Sequence, residues 1–212
     1  MSILLIRHGE TASNAARIVQ TPEIPLSPRG LGQAERLAER LAGIGVAAIL
    51  SSDLARAAMT AERVRAATGA PLSFAADLQE RNYGDVRGQT YAALGVNILA
   101  PDYEPPGGET WAEFHARVDR AWAAVVRLQA ATPGNLAVVT HGLVCHAIAA
   151  RHLHLPGGGA AAGGWHNASL TVVAAASPGS RATVEVLNCI AHLRDGAEDP
   201  ARASPARSGG AV

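Results

Sequence analysis

Residues 3–6 (Ile-Leu-Leu-Ile) are wholly aliphatic and stop at Arg7-His8-Gly9, the pattern of a short strand buried on both faces. A polar loop punctuated by Pro22, Pro25 and Pro28 follows. Ala34, Leu37, Ala38 and Leu41 then recur at spacings of three and four, which predicts a helix with one apolar face, closed by Gly43-Ile44-Gly45. Residues 46–50 read as a second buried strand. Ser51-Ser52-Asp53 reads as N-cap chemistry for a helix that carries Leu54, Ala57, Ala58, Ala61 and Val64 and ends near Thr68-Gly69. Residues 70–109 show no period and are rich in polar, Pro and Gly positions. Trp111, Phe114, Val118, Trp122, Val125 and Leu128 mark a long amphipathic helix that stops before Pro133-Gly134. Residues 136–140 form a third buried strand, followed by His141-Gly142 and an apolar helix through Ile148. The Gly/Ala-rich stretch 156–164 reads as a flexible linker or lid, and residues 170–176 and 183–187 as late strands.

Short aliphatic strands separated by helices predict an α/β fold, a three-layer α/β/α sandwich around a mostly parallel central sheet. One catalytic domain is expected over residues 1–194. From residue 195 onward the Ala/Pro/Arg/Gly/Ser run has too few hydrophobic side chains for a core and is expected to be disordered.

Composition narrows the function classes. Basic and acidic residues number 18 each, and every basic residue is Arg. The absence of Lys excludes a P-loop, a Schiff-base or pyridoxal enzyme and the protein-kinase lysine. A net charge of zero argues against a nucleic-acid partner, because nothing global would drive counterion release. The apolar runs are too short to span a bilayer, and Met1-Ser2 enters the first of them without a basic leader region. Cys145 and Cys189 do not make a disulfide framework. A cytoplasmic protein without membrane or nucleic-acid partners is the expectation.

Two strand ends share one chemistry. Ile6-Arg7-His8-Gly9 and Val139-Thr140-His141-Gly142 each place a histidine and a glycine just past a buried strand, the edge at which open α/β sheets bind ligands. Arg56 lies one turn into the helix that follows the second strand. Arg7, His8, Arg56 and His141 would therefore converge on one crevice, and such a cluster repels itself unless an anion occupies it. Phosphate suits the guanidinium fork. Taken singly, each residue is ordinary for its position; the four together at three strand ends carry the inference. On these grounds Glu10, Glu80 and Glu109 are equal candidates for a catalytic acid.

These motifs resemble the histidine phosphatase superfamily, the phosphoglycerate mutase-like proteins, in its phosphatase-type branch. Leu5-Ile6-Arg7-His8-Gly9-Glu10-Thr11 with Asn14 is similar to the family signature. Ser51-Ser52-Asp53-Leu54-Ala55-Arg56-Ala57 with Thr60-Ala61 resembles its second motif, and Leu78-Gln79-Glu80-Arg81-Asn82-Tyr83-Gly84 with Gly88 its acid-bearing one. Val139-Thr140-His141-Gly142 resembles the last. Pro-Gly-Gly-Glu at 106–109, Asn167-Ala168-Ser169 and Leu187-Asn188 with His192-Leu193 are also usual in that branch. The resemblance implies His8 as the nucleophile that forms a phosphohistidine, with Arg7, Arg56 and His141 on the equatorial oxygens. It implies Glu80 as general acid and then base, Asn14 as a neutral donor, and Arg81, Tyr83 and Gly142 among the substrate contacts. No cofactor and no metal would be needed, because arginines take the place of Mg²⁺. The substrate would be a small phosphorylated metabolite, and a homodimer is a family-level expectation.

The chain departs from the family in places. The loop that commonly carries Gln-Gly and an Asp holds Val19-Gln20 and Glu23, and His146 stands where many relatives have Arg. Between Gly84 and Trp111 the basic side chain is Arg87, without the paired basic residues of the dedicated mutases, so a phosphatase is favoured over an isomerase or a non-catalytic phosphate-binding module. His152 and His154, two residues apart on a helix, would face different sides and not share a metal. Cys145 beside His146 reads as a buried thiol, and Trp111 and Trp122 as core.

Overall fold

The computed structural model describes residues 1–155, 164–175 and 179–194. Most of the predicted linker, the end of the strand predicted over 170–176 and the whole predicted tail lie outside the described residues.

Seven strands form one sheet: β1 (Ser2–Arg7), β2 (Val46–Ser51), β3 (Leu72–Phe74), β4 (Asn135–Thr140), β5 (Leu153–His154), β6 (Leu170–Ala174) and β7 (Ala182–Cys189). Their order across the sheet is β3-β2-β4-β1-β6-β7-β5. β6 pairs antiparallel with both β1 and β7, and every other neighbouring pair is parallel, so β6 alone runs against the rest. The expected three-layer α/β sandwich with a mostly parallel sheet is present.

Six helices complete the described residues: α1 (Ala12–Ala15), α2 (Pro28–Ala42), α3 (Ala55–Thr68), α4 (Tyr91–Leu94), α5 (Trp111–Ala131) and α6 (Gly142–His152). Strand side chains alternate between the faces, and the two faces meet different helices. Leu4, Ile6, Ala137 and Val139 pack with Leu37 and Leu41 of α2 and Ala57, Ala61 and Val64 of α3. Ile3, Leu5, Leu136 and Val138 pack with Phe114, Val118 and Trp122 of α5 and Val144 and Ile148 of α6. The helices that follow the adjacent strands β1 and β4 thus lie on opposite faces. That divergence opens a crevice beyond the carboxyl ends of these two strands.

Several boundaries differ from expectation, each for a local reason. α2 begins at Pro28 because Ser27 accepts a hydrogen bond from the Gly30 N–H and Pro at the first helical position lacks an N–H to satisfy. α5 is capped by Thr110 and Glu113 in a reciprocal capping box. The N-cap of α3 is Leu54, with no side-chain cap, rather than the Ser-Ser-Asp segment; Ser52 instead accepts the Leu54 N–H at 3.3 Å. The irregular 70–109 stretch contains edge strand β3, two single turns of 3₁₀ helix and the short α4. α6 runs on to His152, and His154 lies on β5 rather than on a helix, so the two histidines are separated by a change of element. His152 is occupied by Asp119 Oδ1 at 2.8 Å. No helix among the described residues is long and apolar enough to cross a membrane.

Candidate active site

The sheet ladder itself brings the two histidines together. Arg7 is paired with Thr140 across β1 and β4, and the next residue continues the ladder, with the His8 N–H donating to Thr140 O at 2.9 Å. On the other side of β4, the Ser52 N–H donates to Val139 O at 2.9 Å. His8 and His141 consequently face each other with ring centroids 5.1 Å apart. Close approach of the β1 loop to α2 depends on glycine at both positions. A Cβ on Gly9 would come within 2.5 Å of Gly30 O, and one on Gly30 within 1.9 Å of Glu10 O.

Hydrogen bonds fix the state of each ring. His8 Nδ1 lies 2.6 Å from Gly9 O, which can only accept, so Nδ1 carries the hydrogen and Nε2 keeps its lone pair. The backbone that carries His8 is braced by the 166–169 turn: Ala168 N–H and Asn167 Nδ2 both donate to His8 O at 3.1 Å. His141 Nε2 lies 2.8 Å from Ser52 Oγ, whose lone pair is already engaged by the Leu54 N–H. In the tautomer whose Nε2 accepts the hydroxyl proton, Nδ1–H of His141 is a buried donor without a protein partner among the described residues.

Both imidazoles are held neutral. Burial, then Arg56 and Arg7, pushes His8 well below the usual histidine range; burial, Arg56, His8 and Arg7 do the same to His141. The sign for stability follows. The unfolded chain takes up protons on these rings near pH 6.5 and the folded chain does not, so their stabilisation is complete above that pH and is lost as pH falls below it. We expect thermal stability to fall by about 1.4 kcal/mol per pH unit for each histidine on acidification from pH 6.5. In His8→Asn, melting curves between pH 5 and 7 should show a shallower slope; an unchanged slope would contradict the neutral assignment.

Arg7 and Arg56 complete the cluster. Arg56 is buried and Arg7 partly buried, and both line the crevice. The solvent-facing arginines 29, 63, 65, 120 and 151 pair with carboxylates, but neither Arg7 nor Arg56 makes an ion pair among the described residues. Arg7 Nη1 donates to Trp165 O and Arg56 Nη1 to Thr21 O at 3.1 Å, while the Nε of each is buried without a partner. Burial, opposed by Glu80 and reinforced by Arg7, lowers Arg56 to about 10, so it stays charged at neutral pH. Two cations without an ion-pair partner among the described residues form a site for an anion. Gly142 packs against Arg7, and a Cβ there would lie in ordinary contact, 3.4 Å from Arg7 Nε.

The geometry separates the three candidate carboxylates. Glu10 is bonded to Ser27 and Arg29, and Glu109 is tied to Arg117 and the Asn82 N–H. Glu80 lines the crevice, and among the described residues its oxygens accept the backbone N–H groups of Arg81 at 3.0 Å and Leu143 at 3.2 Å.

Around this cluster lies a cavity of about 780 Å³, lined by every expected site residue except His141, which is fully buried beside His8. Asn14 Oδ1 is engaged by the Thr11 N–H and Asn167 Nδ2, which leaves its amide N–H groups for a ligand. Arg81 is buried, with Nε and Nη2 on the carbonyls of Glu109 and Tyr103 and Nη1 without a partner. Its guanidinium lies 3.9 Å over the ring of Trp111, which is therefore a cavity wall and not only core. Tyr83 is buried with Val19 and Val86, and burial raises its phenol above the usual range. Trp122 and Cys145 are core, as expected. The sequence reading missed Arg17, Tyr91, Leu99 and Trp165, all in the lining. Arg17 has a left-handed backbone, φ 53°, and its carbonyl accepts the Tyr91 N–H at 3.0 Å, so two loops remote in sequence meet at the rim. Five arginines and one carboxylate line the cavity.

Comparison with known proteins identifies the fold and the family. The sequence profile of the histidine phosphatase superfamily (branch 1) matches residues 3–189. The chain is 33% identical over 168 residues to the Salmonella paratyphi B protein named "Probable phosphoglycerate mutase GpmB", covering 74% of this chain and 76% of that one. Its structure resembles a mycobacterial glucosyl-3-phosphoglycerate phosphatase solved with VO3, at TM-score 0.76 and 28% identity, over 89% of this chain and 99% of that one. It also resembles the α-ribazole phosphatase of Shigella flexneri, at TM-score 0.76 and 26% identity, over 89% and 96% of the two chains. With the profile spanning nearly all of the described domain, the chain belongs to the histidine phosphatase superfamily, branch 1.

Proposed function

We propose that this protein is a metal-independent phosphomonoesterase that acts on small phosphorylated metabolites through a phosphohistidine on His8. The observation that carries the reading is the bare Nε2 of a neutral His8, set beside Arg7 and the buried Arg56, neither of which has a carboxylate partner among the described residues. In the first half-reaction the Nε2 lone pair attacks phosphorus as the ester P–O bond breaks. The Glu80 carboxyl gives its proton to the departing alkoxide. In the second, Glu80 takes a proton from water, the water oxygen bonds to phosphorus, and the N–P bond breaks to release orthophosphate. Arg7, Arg56 and the Nδ1–H of His141 supply fixed positive charge and donors for the equatorial oxygens throughout. The arginine surplus across the cavity also favours an anionic substrate.

The named relatives include a mutase, and an isomerase would use the same phosphohistidine. It would differ in returning the phosphoryl group to the product rather than to water. Incubation with phosphoglycerate separates the two readings: orthophosphate release supports hydrolysis, and interconversion stimulated by a bisphosphorylated primer supports the isomerase. Because guanidinium groups carry the charge, hydrolysis of p-nitrophenyl phosphate is expected to proceed unchanged in excess chelator and to be inhibited by vanadate. Loss of activity with chelator and recovery on adding a divalent ion would overturn the metal-independent assignment.

A further inference from the structure

One polar cluster outside the cavity has no part in the chemistry above. Arg117 lies on α5 between Phe114 and Val118, on the helix face turned toward the sheet, and it is largely buried against Glu109. All five of its N–H donors are used. Nε and Nη2 reach the two oxygens of Glu109, each at 2.7 Å. Nη1 donates to the carbonyls of Asp77 at 2.9 Å and Gln79 at 2.8 Å, and Nη2 to the carbonyl of Glu80 at 3.3 Å. Glu109 holds the other end of the same segment. Its Oε2 accepts the Asn82 N–H at 2.8 Å, its backbone N–H donates to Asn82 O at 2.8 Å, and its carbonyl receives Arg81 Nε and Nη2. Backbone groups from Asp77 to Asn82 are therefore fastened on both sides of Glu80 by one ion pair. The Glu80 carboxyl itself has no side-chain partner among the described residues.

We propose that Arg117 and Glu109 are positioning residues for the acid–base carboxylate: their bidentate ion pair fixes the backbone on either side of Glu80 and so sets where its proton is delivered. The pairing also satisfies the Arg117 fork with Glu109, which keeps the guanidinium off the Glu80 carboxyl. The proposal rests on the reading of Glu80 as general acid.

A fold-supporting pair and a positioning pair predict different kinetics. Displacing a proton donor by a fraction of a bond length costs rate only where the leaving group needs the proton. Arg117→Ala and Glu109→Gln are expected to lower kcat for an alkyl phosphate by about 10²-fold. For p-nitrophenyl phosphate, whose leaving group departs without protonation, the same changes should cost less than about 3-fold in the phosphorylation step. Vanadate affinity should not change, and Arg117→Lys should recover part of the alkyl phosphate rate. In the double-mutant cycle Glu80→Gln should abolish the further effect of Arg117→Ala. Equal losses with both substrates, additive losses in the cycle, or failure of both Arg117→Ala and Glu109→Gln to fold would show the pair to be a fold element and overturn the proposal. If instead Glu80→Gln itself shows no leaving-group dependence, the acid assignment fails independently of the clamp.

Discussion

His8→Ala is expected to lose hydrolysis of every phosphate monoester by on the order of 10⁴- to 10⁶-fold, because it removes the atom to which the proposed mechanism transfers phosphorus. The neighbouring charges cannot substitute. Arg7 and Arg56 are cations without a lone pair, and the lone pair of His141 is engaged by Ser52. The loss should lie in kcat, since the orphan polar atoms of Arg7, Arg56 and His141 proposed to hold the anion remain. Orthophosphate or vanadate should therefore still raise the melting temperature of the variant. Parallel loss of anion binding and turnover would mean that His8 holds the anion and does not attack it. Rates equal to wild type would remove the nucleophile assignment altogether.

Glu80→Gln is expected to have the next largest effect and a different signature. The amide keeps the size of the carboxyl but cannot release or accept the proton, so alkyl phosphates should slow by about 10²- to 10⁴-fold. With p-nitrophenyl phosphate the first half-reaction survives while the second, in which water must be deprotonated, does not. A burst of one p-nitrophenolate per enzyme followed by slow turnover is the expected trace. A uniform slowing of both esters without a burst would place the general acid elsewhere. The nearest alternatives are poor candidates, because Glu10 and Glu109 are each tied to an arginine away from the cavity.

The basic half of the site was legible because strand ends are places that sequence pattern can find. Two aliphatic runs ending in His-Gly, and Arg56 one turn after a third strand, place four side chains before any pairing is known. The acid was not legible from pattern. Glu80 sits in a stretch without period, and only its neighbours in space distinguish it from Glu10 and Glu109; the family motif supplied that choice. The cavity walls were equally hidden, because Arg17, Tyr91, Leu99 and Trp165 come from loops that meet only when the sheet is assembled. Arg117 did leave a signal. It is three residues from Phe114 and four from Ala121, both buried on α5, and a charged side chain on an apolar helix face needs a partner. Ser52 was misread for a related reason. A hydroxyl before a helix is ordinarily a cap, but here the helix starts later and the hydroxyl orients His141.

On the proposed mechanism phosphorus passes through His8, so the intermediate can be trapped on that residue. Glu80→Gln should be mixed with p-nitrophenyl phosphate, quenched within the burst under alkaline conditions, digested and analysed by mass spectrometry. The account predicts one phosphoryl group per chain, acid-labile and base-stable, on the peptide that contains His8. A full burst of p-nitrophenolate with no phosphoryl group on that peptide would contradict it.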